Sequence, residues 1–176
     1  MARNRVYWSS GEGFIRGCSL DALPCVPFNV SNPGPPGFWF GVEQFGDVLF
    51  ASGPLNFIHR CPLNSAGTCT LEVLTQASNP RALKVDPKRG YLYVARTNSQ
   101  GVFRCSLETG GCKQEHVAAT AAGFPSALGV DLVRNHLYWR AQETTLDRCA
   151  LDGALPCAPA DVVLQGIRVR QVDLGP

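Results

Sequence analysis

The stretch HLYWRAQETTLDRCALDGALPC, from His136 to Cys157, decides how the whole chain is interpreted. An aromatic, strand-like run is followed ten residues after its tryptophan by one cysteine, and eight residues later by a second. The N-terminal stretch RVYWSSGEGFIRGCSLDALPC, from Arg5 to Cys25, has nearly the same arrangement. Because a pattern that recurs within one chain indicates a structural repeat, the other cysteines are the place to look for further copies.

The eight cysteines fall into four pairs, and the first members of successive pairs are 43, 44 and 44 residues apart. A period of this size is typical of repeat architectures such as solenoids and propellers. Four copies of one unit of about 43 residues therefore fill the 176-residue chain. The pairs are Cys18 with Cys25, Cys61 with Cys69, Cys105 with Cys112, and Cys149 with Cys157.

The repeated unit consists of four strand-like segments. Alignment on the cysteines brings the apolar and aromatic runs RVYWSS, DVLFAS, YLYVAR and HLYWRA into register, and their composition favours β-strands. A second segment leads into the first cysteine, a third follows the second cysteine, and a fourth precedes the aromatic run. A four-stranded meander of this length is typical of a β-propeller blade.

The sequence thus predicts an all-β fold, a single β-propeller domain over residues 1–176 with four four-stranded blades. The first unit lacks its fourth segment, and VRQVDLGP at the C-terminus supplies a matching one. We therefore expect the N- and C-terminal strands to share one blade and close the ring, which hides two sheet edges. The expected blade units are 1–30 with 167–176, then 37–76, 80–120 and 124–165.

The cysteine pairs are interpreted as hairpin disulfides. Each pair brackets the turn between two successive strands, where cross-strand positions come within bridging distance. Structural zinc sites are the alternative, but they usually bring two closely spaced pairs together, whereas here each blade has one wider pair. We expect the disulfides Cys18–Cys25, Cys61–Cys69, Cys105–Cys112 and Cys149–Cys157.

Composition limits the compartment and the partners. Eight cysteines in a chain of this size favour an oxidising location, which is extracellular, periplasmic or at the cell surface. The start MARNRVYWSS lacks the apolar core of a secretory signal, so we expect a processed or excised segment. A net charge of +2 and 17% charged residues give no reason to expect nucleic-acid binding, and no apolar run is long enough to span a membrane.

One unit resembles a known family. VDLVRNHLYWRAQETTLDRCALDG, from Val130 to Gly153, is similar to the YWTD repeats of the low-density-lipoprotein-receptor type, in its VD, LYW, arginine and LDG positions. The other units match more weakly, the Thr-Asp of the family name is absent, and the family normally has six blades. The chain thus resembles a divergent YWTD-like or NHL-like propeller, and the resemblance implies protein binding on an extracellular face.

Acidic residues recur once per unit, just before the turn that enters the aromatic strand. A ring of carboxylates could coordinate a cation. We favour a structural role, in which each carboxylate accepts N–H groups of the turn that follows it. These residues are Glu43, Asp86, Asp131 and Asp173.

Basic residues also recur. Arg60, Arg104 and Arg148 directly precede a cysteine, and Arg16 stands one place earlier in its unit. A ring of guanidinium groups could hold an anion. We favour ion pairs with a neighbouring blade or with carboxylates such as Asp147, Asp152 or Glu108.

The sequence offers no catalytic residues. It contains no Ser-His-Asp, GxSxG, P-loop or HExxH motif, and its three histidines occupy different positions in the unit. We therefore predict no metal site and no cofactor. The favoured function is a non-catalytic extracellular binding module for an unknown protein or glycan. The alternatives are a carbohydrate-binding propeller and a lyase- or lactonase-type enzyme with a channel metal.

The sequence leaves two alternatives for the oligomeric state. A closed four-bladed monomer is favoured, and a homodimer that forms an eight-bladed ring is the second.

Overall fold

The computed structural model describes residues 4–10, 12–21, 23–31, 39–97, 101–108, 111–118, 125–157, 161–166 and 172. These residues form four antiparallel meander sheets of the kind that build propeller blades, and we number them blades 1 to 4. Contacts divide the chain into two compact units, residues 1–76 with blades 1 and 2, and residues 77–176 with blades 3 and 4.

The described residues of the first unit form seven strands. Blade 1 consists of β1 (Arg5–Ser9), β2 (Ile15–Ser19) and β3 (Phe28–Asn29). Blade 2 consists of β4 (Gly41–Phe45), β5 (Val48–Ser52), β6 (Phe57–Pro62) and β7 (Glu72–Gln76). The segment expected to complete blade 1, residues 169–176, lies outside the described residues apart from Val172, so the shared strand stays a prediction.

In the second unit, the part that the structure describes forms eight strands. Blade 3 consists of β8 (Pro80–Asp86), β9 (Tyr91–Arg96), β10 (Gly101–Ser106) and β11 (Glu115–Ala118). Blade 4 consists of β12 (Leu128–Asp131), β13 (His136–Gln142), β14 (Thr145–Ala150) and β15 (Asp161–Gln165). In the described part of the chain, helix is confined to the short 3-10 turn Pro54–Asn56, and no helix there is long and apolar enough to cross a membrane.

The aromatic runs form the second strand of blades 2 to 4, and their alternate residues fill the cores. Leu137 and Trp139 of β13 are fully buried, together with Tyr93 and Val102 of blade 3. In the first unit, Ile15, Trp39 and Leu49 form the corresponding core. Each unit is thus held by apolar packing between two successive blades.

A β-bulge recurs in blades 2, 3 and 4 between the last two strands. In each of these blades the last strand contains one extra, unpaired residue between two residues that pair with consecutive residues of the neighbouring strand. These extra residues are Leu74, Val117 and Val163. At the bulge, the side chains of the outer strand change the face of the sheet to which they point, and the strand twists more strongly. The edge of the sheet is therefore a poorer template for pairing with a further strand.

All four expected cysteine pairs are disulfide-bonded, with Cα–Cα separations of 5.8, 5.4, 4.9 and 6.0 Å along the chain. The first cysteine of each pair lies in a strand, and the second lies in the connection before the outer strand. In blades 2 and 4 this second cysteine also contacts the preceding blade. The N–H of Cys69 donates to the carbonyl of Val30 (2.8 Å), and that of Cys157 donates to the carbonyl of Val117 (2.7 Å).

Candidate functional site

A polar cleft lies in the first unit, between the end of β3 and the connection from β6 to β7. Its volume is about 580 Å³. The described residues that line it are mostly amide and hydroxyl side chains: Asn29, Val30, Ser31, Pro62, Asn64, Thr68, Cys69, Thr70 and Glu72. Hydrogen-bonding groups therefore dominate the lining, with a small apolar contribution.

The connection between β6 and β7 is ordered by its own hydrogen bonds. The side chain of Asn64 accepts from the N–H of Thr68 (3.1 Å) and donates to its hydroxyl (2.8 Å). Gly67 between them has φ +84°, a left-handed conformation that favours glycine, and a Cβ there would collide with the guanidinium of Arg5. The Cys61–Cys69 disulfide closes this loop, so the wall of the cleft is fixed before any ligand binds.

Glu72 is the one titratable side chain among the described residues that line the cleft. Its carboxylate accepts a hydrogen bond from Nε of Arg60 at 2.7 Å, and both side chains are partly exposed. The carboxylate of Glu72 is therefore already engaged by a guanidinium of its own sheet. This geometry is suited to binding by hydrogen bonds.

The recurring arginines are placed in ion pairs within their own sheets. Arg60, Arg104 and Arg148 each face a carboxylate directly across the last strand pair. The partners are Glu72 (2.7 Å), Glu115 (2.8 Å) and Asp161 (3.4 Å). These carboxylates lie on the outer strands, two residues before the bulge residue, and they differ from the carboxylates named from the sequence.

Arg16 does not belong to this series. The register places Cys18 opposite Val6 and Cys61 opposite Leu49, so Gly17 occupies the position of Arg60. Arg16 instead pairs with Glu12. A Cβ on Gly17 would lie within 2.9 Å of the ring of Tyr7, so in blade 1 an aromatic ring covers the site where the other blades have an arginine.

Two of the recurring acidic residues cap turns. Asp86 accepts from the N–H groups of Lys88 (3.0 Å) and Arg89 (3.1 Å). Asp131 accepts from those of Val133 (2.9 Å) and Arg134 (2.8 Å), and these bonds, led by that of Arg134, lower the pKa of its carboxyl group. The turns then end at Gly90 (φ 66°) and at Asn135 (φ 57°), residue types that tolerate the left-handed conformation.

Glu43 is not equivalent to these two residues, which corrects the sequence alignment. Asp86 and Asp131 end their strands before four-residue turns, whereas β4 continues to Phe45 and is followed by a two-residue turn. Glu43 therefore lies opposite Phe50, two residues before the end of its strand. Asp173 lies outside the described residues, and its role stays a prediction.

A polar network joins blades 3 and 4, and the sequence did not suggest it. The guanidinium of Arg89 contacts Asp86 (3.0 Å) in its own turn, and Asn135 (2.8 Å) and Asp152 (2.6 Å) in blade 4. The hydrogen bond that Arg89 donates to Asp152, with further support from Asp86, raises the pKa of Arg89. We call these four residues the Arg89 clamp.

The histidines are not brought together. His59 on β6 is buried beside Trp39, with ring centroids 5.1 Å apart, and burial lowers its pKa. His116 lies on β11 and His136 on β13. Among the described residues, no group of three or more His, Cys, Asp or Glu side chains is arranged to hold a metal ion.

Asp147 and Asp152, expected as partners of the recurring arginines, have other surroundings. Asp152 belongs to the Arg89 clamp. Asp147 on β14 is partly buried, and that burial raises the pKa of its carboxyl group. Arg148, next to it in sequence, faces the opposite side of the sheet and pairs with Asp161.

The comparison with known proteins is consistent with the propeller interpretation. No family model matches the chain. The chain is similar to the human low-density lipoprotein receptor-related protein 5, with 27% identity over 160 residues, which covers 85% of this chain and 10% of that protein. This relative supports the resemblance to the low-density-lipoprotein-receptor type, and the NHL-like resemblance stays a prediction.

Solved structures share the fold. A chain of a nidogen/laminin complex superposes with a TM-score of 0.76 at 21% identity, covering 95% of this chain and 62% of that one. A gluconolactonase from Xanthomonas campestris superposes with a TM-score of 0.67 at 15% identity, covering 92% of this chain and 57% of the enzyme. The predicted fold class, an all-β propeller built of meander blades, is thereby confirmed. The chain spans less than two thirds of each of these proteins.

Proposed function

We propose that this chain is a non-catalytic binding module of the extracellular space, and that a protein ligand occupies the polar cleft between β3 and the β6–β7 connection. The observation that carries the proposal is the lining of the cleft, in which amide and hydroxyl groups surround one carboxylate already paired with Arg60. Such a lining offers directional hydrogen bonds on a rigid, disulfide-closed wall, and rigid walls reduce the entropic cost of binding.

Two further observations support the proposal. Four disulfides are typical of secreted proteins, because the cytosol keeps thiols reduced. Among the similar proteins are a receptor-related protein and a chain from a complex with laminin, and both names indicate recognition of other molecules. A protein ligand is therefore favoured over a small substrate.

A glycan is the second candidate ligand. Clustered amide and hydroxyl groups, here Asn29, Asn64, Thr68 and Thr70, suit the hydroxyl groups of a sugar as well as a peptide backbone. The gluconolactonase neighbour makes lactone hydrolysis the enzymatic alternative.

The experiment compares the wild-type chain with a blocked cleft. Thr70→Arg places a long side chain at the exposed rim, and Thr144→Arg makes the same change at an exposed position in the other unit. Immobilised chains are tested against purified laminin and on a glycan array. We expect laminin binding that Thr70→Arg weakens at least about tenfold, the equivalent of one or two lost hydrogen bonds, and that Thr144→Arg leaves unchanged.

The other outcomes decide between the alternatives. Binding to glycans without binding to laminin would replace the protein ligand by a carbohydrate. Equal binding by both variants would remove the cleft from the site. Hydrolysis of glucono-lactone by the wild-type chain, lost in Thr70→Arg, would overturn the non-catalytic assignment.

A further inference from the structure

The contact between blades 3 and 4 is a complete example of how one blade of this chain recognises the next. It has a polar part, the Arg89 clamp, in which an arginine of one blade reaches an asparagine and an aspartate of the following blade. It has an apolar part, in which Leu137 and Leu155 of blade 4 pack in a core shared with Val117 of blade 3. It also has the backbone hydrogen bond from Cys157 to Val117.

Blade 4 presents the first half of such a contact. Asp131 and Arg134 form the same capped turn and the same ion pair (3.2 Å) as Asp86 and Arg89. The side chain of Arg89 is 16% exposed, whereas that of Arg134 is 75% exposed. Asp131 is the partner of the Arg134 guanidinium among the described residues. The exposed guanidinium is therefore available to donate hydrogen bonds to a second partner.

The outer strand of blade 4 is uncovered in the same way. Val163 on β15 is the bulge residue that corresponds to Val117 on β11. Val117 is fully buried under blade 4, while Val163 is 43% exposed. The equivalent valine is thus buried in the contact between blades 3 and 4 when it lies on blade 3, and is exposed to solvent when it lies on blade 4.

Blade 1 presents the second half of the contact. The N–H of Leu20 donates to the carbonyl of Asn4, as that of Leu151 donates to the carbonyl of Asn135, both at 2.8 Å. This makes Asn4 and Asp21 the equivalents of Asn135 and Asp152. Asn4 donates to one carboxylate oxygen of Asp21 (3.1 Å), and the hydroxyl of Ser19 donates to the other (2.9 Å). These bonds hold the exposed side chains of Asn4 and Asp21 in a fixed orientation.

The apolar residues of blade 1 complete the match. Leu23-Pro24-Cys25 repeats the sequence Leu155-Pro156-Cys157. Leu155 packs against the core between blades 3 and 4, whereas Leu23 is 80% exposed. Val6 is exposed at the position where blade 4 has the buried Leu137.

We propose that two copies of this chain bind head to tail, with the face of blade 4 that carries Arg134 and Val163 against the face of a second copy's blade 1 that carries Asn4, Asp21 and Leu23. Charge complementarity and continuity with the contact between blades 3 and 4 favour a blade 1 as the occupant, here that of a second copy. Two copies form two identical contacts and an assembly of eight blades, within the four to eight that propellers use.

The experiment measures molar mass by size-exclusion chromatography with light scattering. The wild-type chain is expected at twice its 19.0 kDa. Arg134→Glu and Asp21→Arg, each alone, place like charges opposite each other, and we expect about 100-fold weaker self-association and a mass near that of one chain. Lys113→Glu, a charge reversal at an exposed residue of another surface, is the matched control and should stay dimeric.

Mixing the two variants separates charge recognition from a folding defect. In the mixed pair, one contact is native and the other has its two charges exchanged, so the mixture of two monomeric variants is expected to regain the dimer mass. A wild-type chain that stays at 19.0 kDa over the concentration range would overturn the proposal. So would dimers that both single variants retain, or a mixture that stays monomeric although both variants show the wild-type melting temperature.

Discussion

His59 is a buried imidazole with aromatic neighbours and no hydrogen-bond partner for either ring nitrogen among the described groups. Its neutral form is suited to this environment, because Trp39 and Phe57 contact it edge-on and burial lowers its pKa. A protonated ring would be a charge without a counter-ion in an apolar site. The residue therefore acts as an apolar core residue that acid can disturb.

Stability is expected to depend on pH through His59. Below the ordinary pKa of 6.5 the unfolded chain binds a proton there that the folded chain does not, so the contribution is complete above pH 6.5 and is lost as the pH falls toward the lowered folded pKa. The loss is at most about 1.4 kcal/mol per pH unit. Urea unfolding of wild type and His59→Phe at pH 7.5, 6.5 and 5.5 measures it.

In the variant His59→Phe, the free energy of unfolding should no longer fall in this way between pH 6.5 and 5.5. His116→Phe, on the exposed part of β11, should keep the pH dependence of the wild type. An unchanged slope in His59→Phe would assign the pH dependence to other groups.

At the scale of the element, the last two strands of blades 2 to 4 carry the same ion pair in different surroundings. The side chain of Arg104 is 14% exposed and its guanidinium lies 4.2 Å from the centre of the Tyr91 ring. The side chain of Arg60 is 41% exposed. Exposed ion pairs contribute little to stability, whereas a stacked guanidinium contributes through its planar shape as well.

Arg104→Lys is therefore expected to cost more than Arg60→Lys, although both variants keep the charge. We expect a loss of about 1 kcal/mol in the free energy of unfolding for Arg104→Lys, because the stacking on Tyr91 is weakened. Arg60→Lys should cost less than about 0.5 kcal/mol. Equal losses in chemical denaturation would show that stacking on Tyr91 contributes nothing.

The strands could be predicted from the sequence because a strand's composition and the cysteine spacing are local signals. Side-chain partners could not, since they depend on features that change the register by one or two residues. The paired carboxylates follow Arg60, Arg104 and Arg148 by 12, 11 and 13 residues, so no fixed spacing identifies them. The two-residue turn after Phe45 moves Glu43 out of the acidic series. The cleft combines segments of two blades, which no single repeat reveals.

At the scale of the whole molecule, each blade has one disulfide of its own, and none of the four joins two blades. Closing a loop of seven or eight residues stabilises by about 2.5 kcal/mol in the chain-entropy model. Four such loops together approach about 10 kcal/mol, which is comparable to the entire stability of an ordinary domain.

Two measurements check this estimate. Cys105→Ala with Cys112→Ala should lower the free energy of unfolding by about 2.5 kcal/mol in urea, with the cooperative transition retained. After complete reduction with dithiothreitol, the chain should show no cooperative unfolding transition at 37 °C. A reduced chain that still melts cooperatively near the temperature of the oxidised chain would contradict the estimate.

The local pairing of the cysteines also has a consequence for biosynthesis. Eight cysteines allow about a hundred different sets of four bonds, and proteins with distant partners often need an isomerase to find the right one. Here each cysteine bonds to the one nearest to it in its own blade, seven or eight residues away. Short loops close fastest. Each disulfide can therefore form correctly before the next blade has been synthesised.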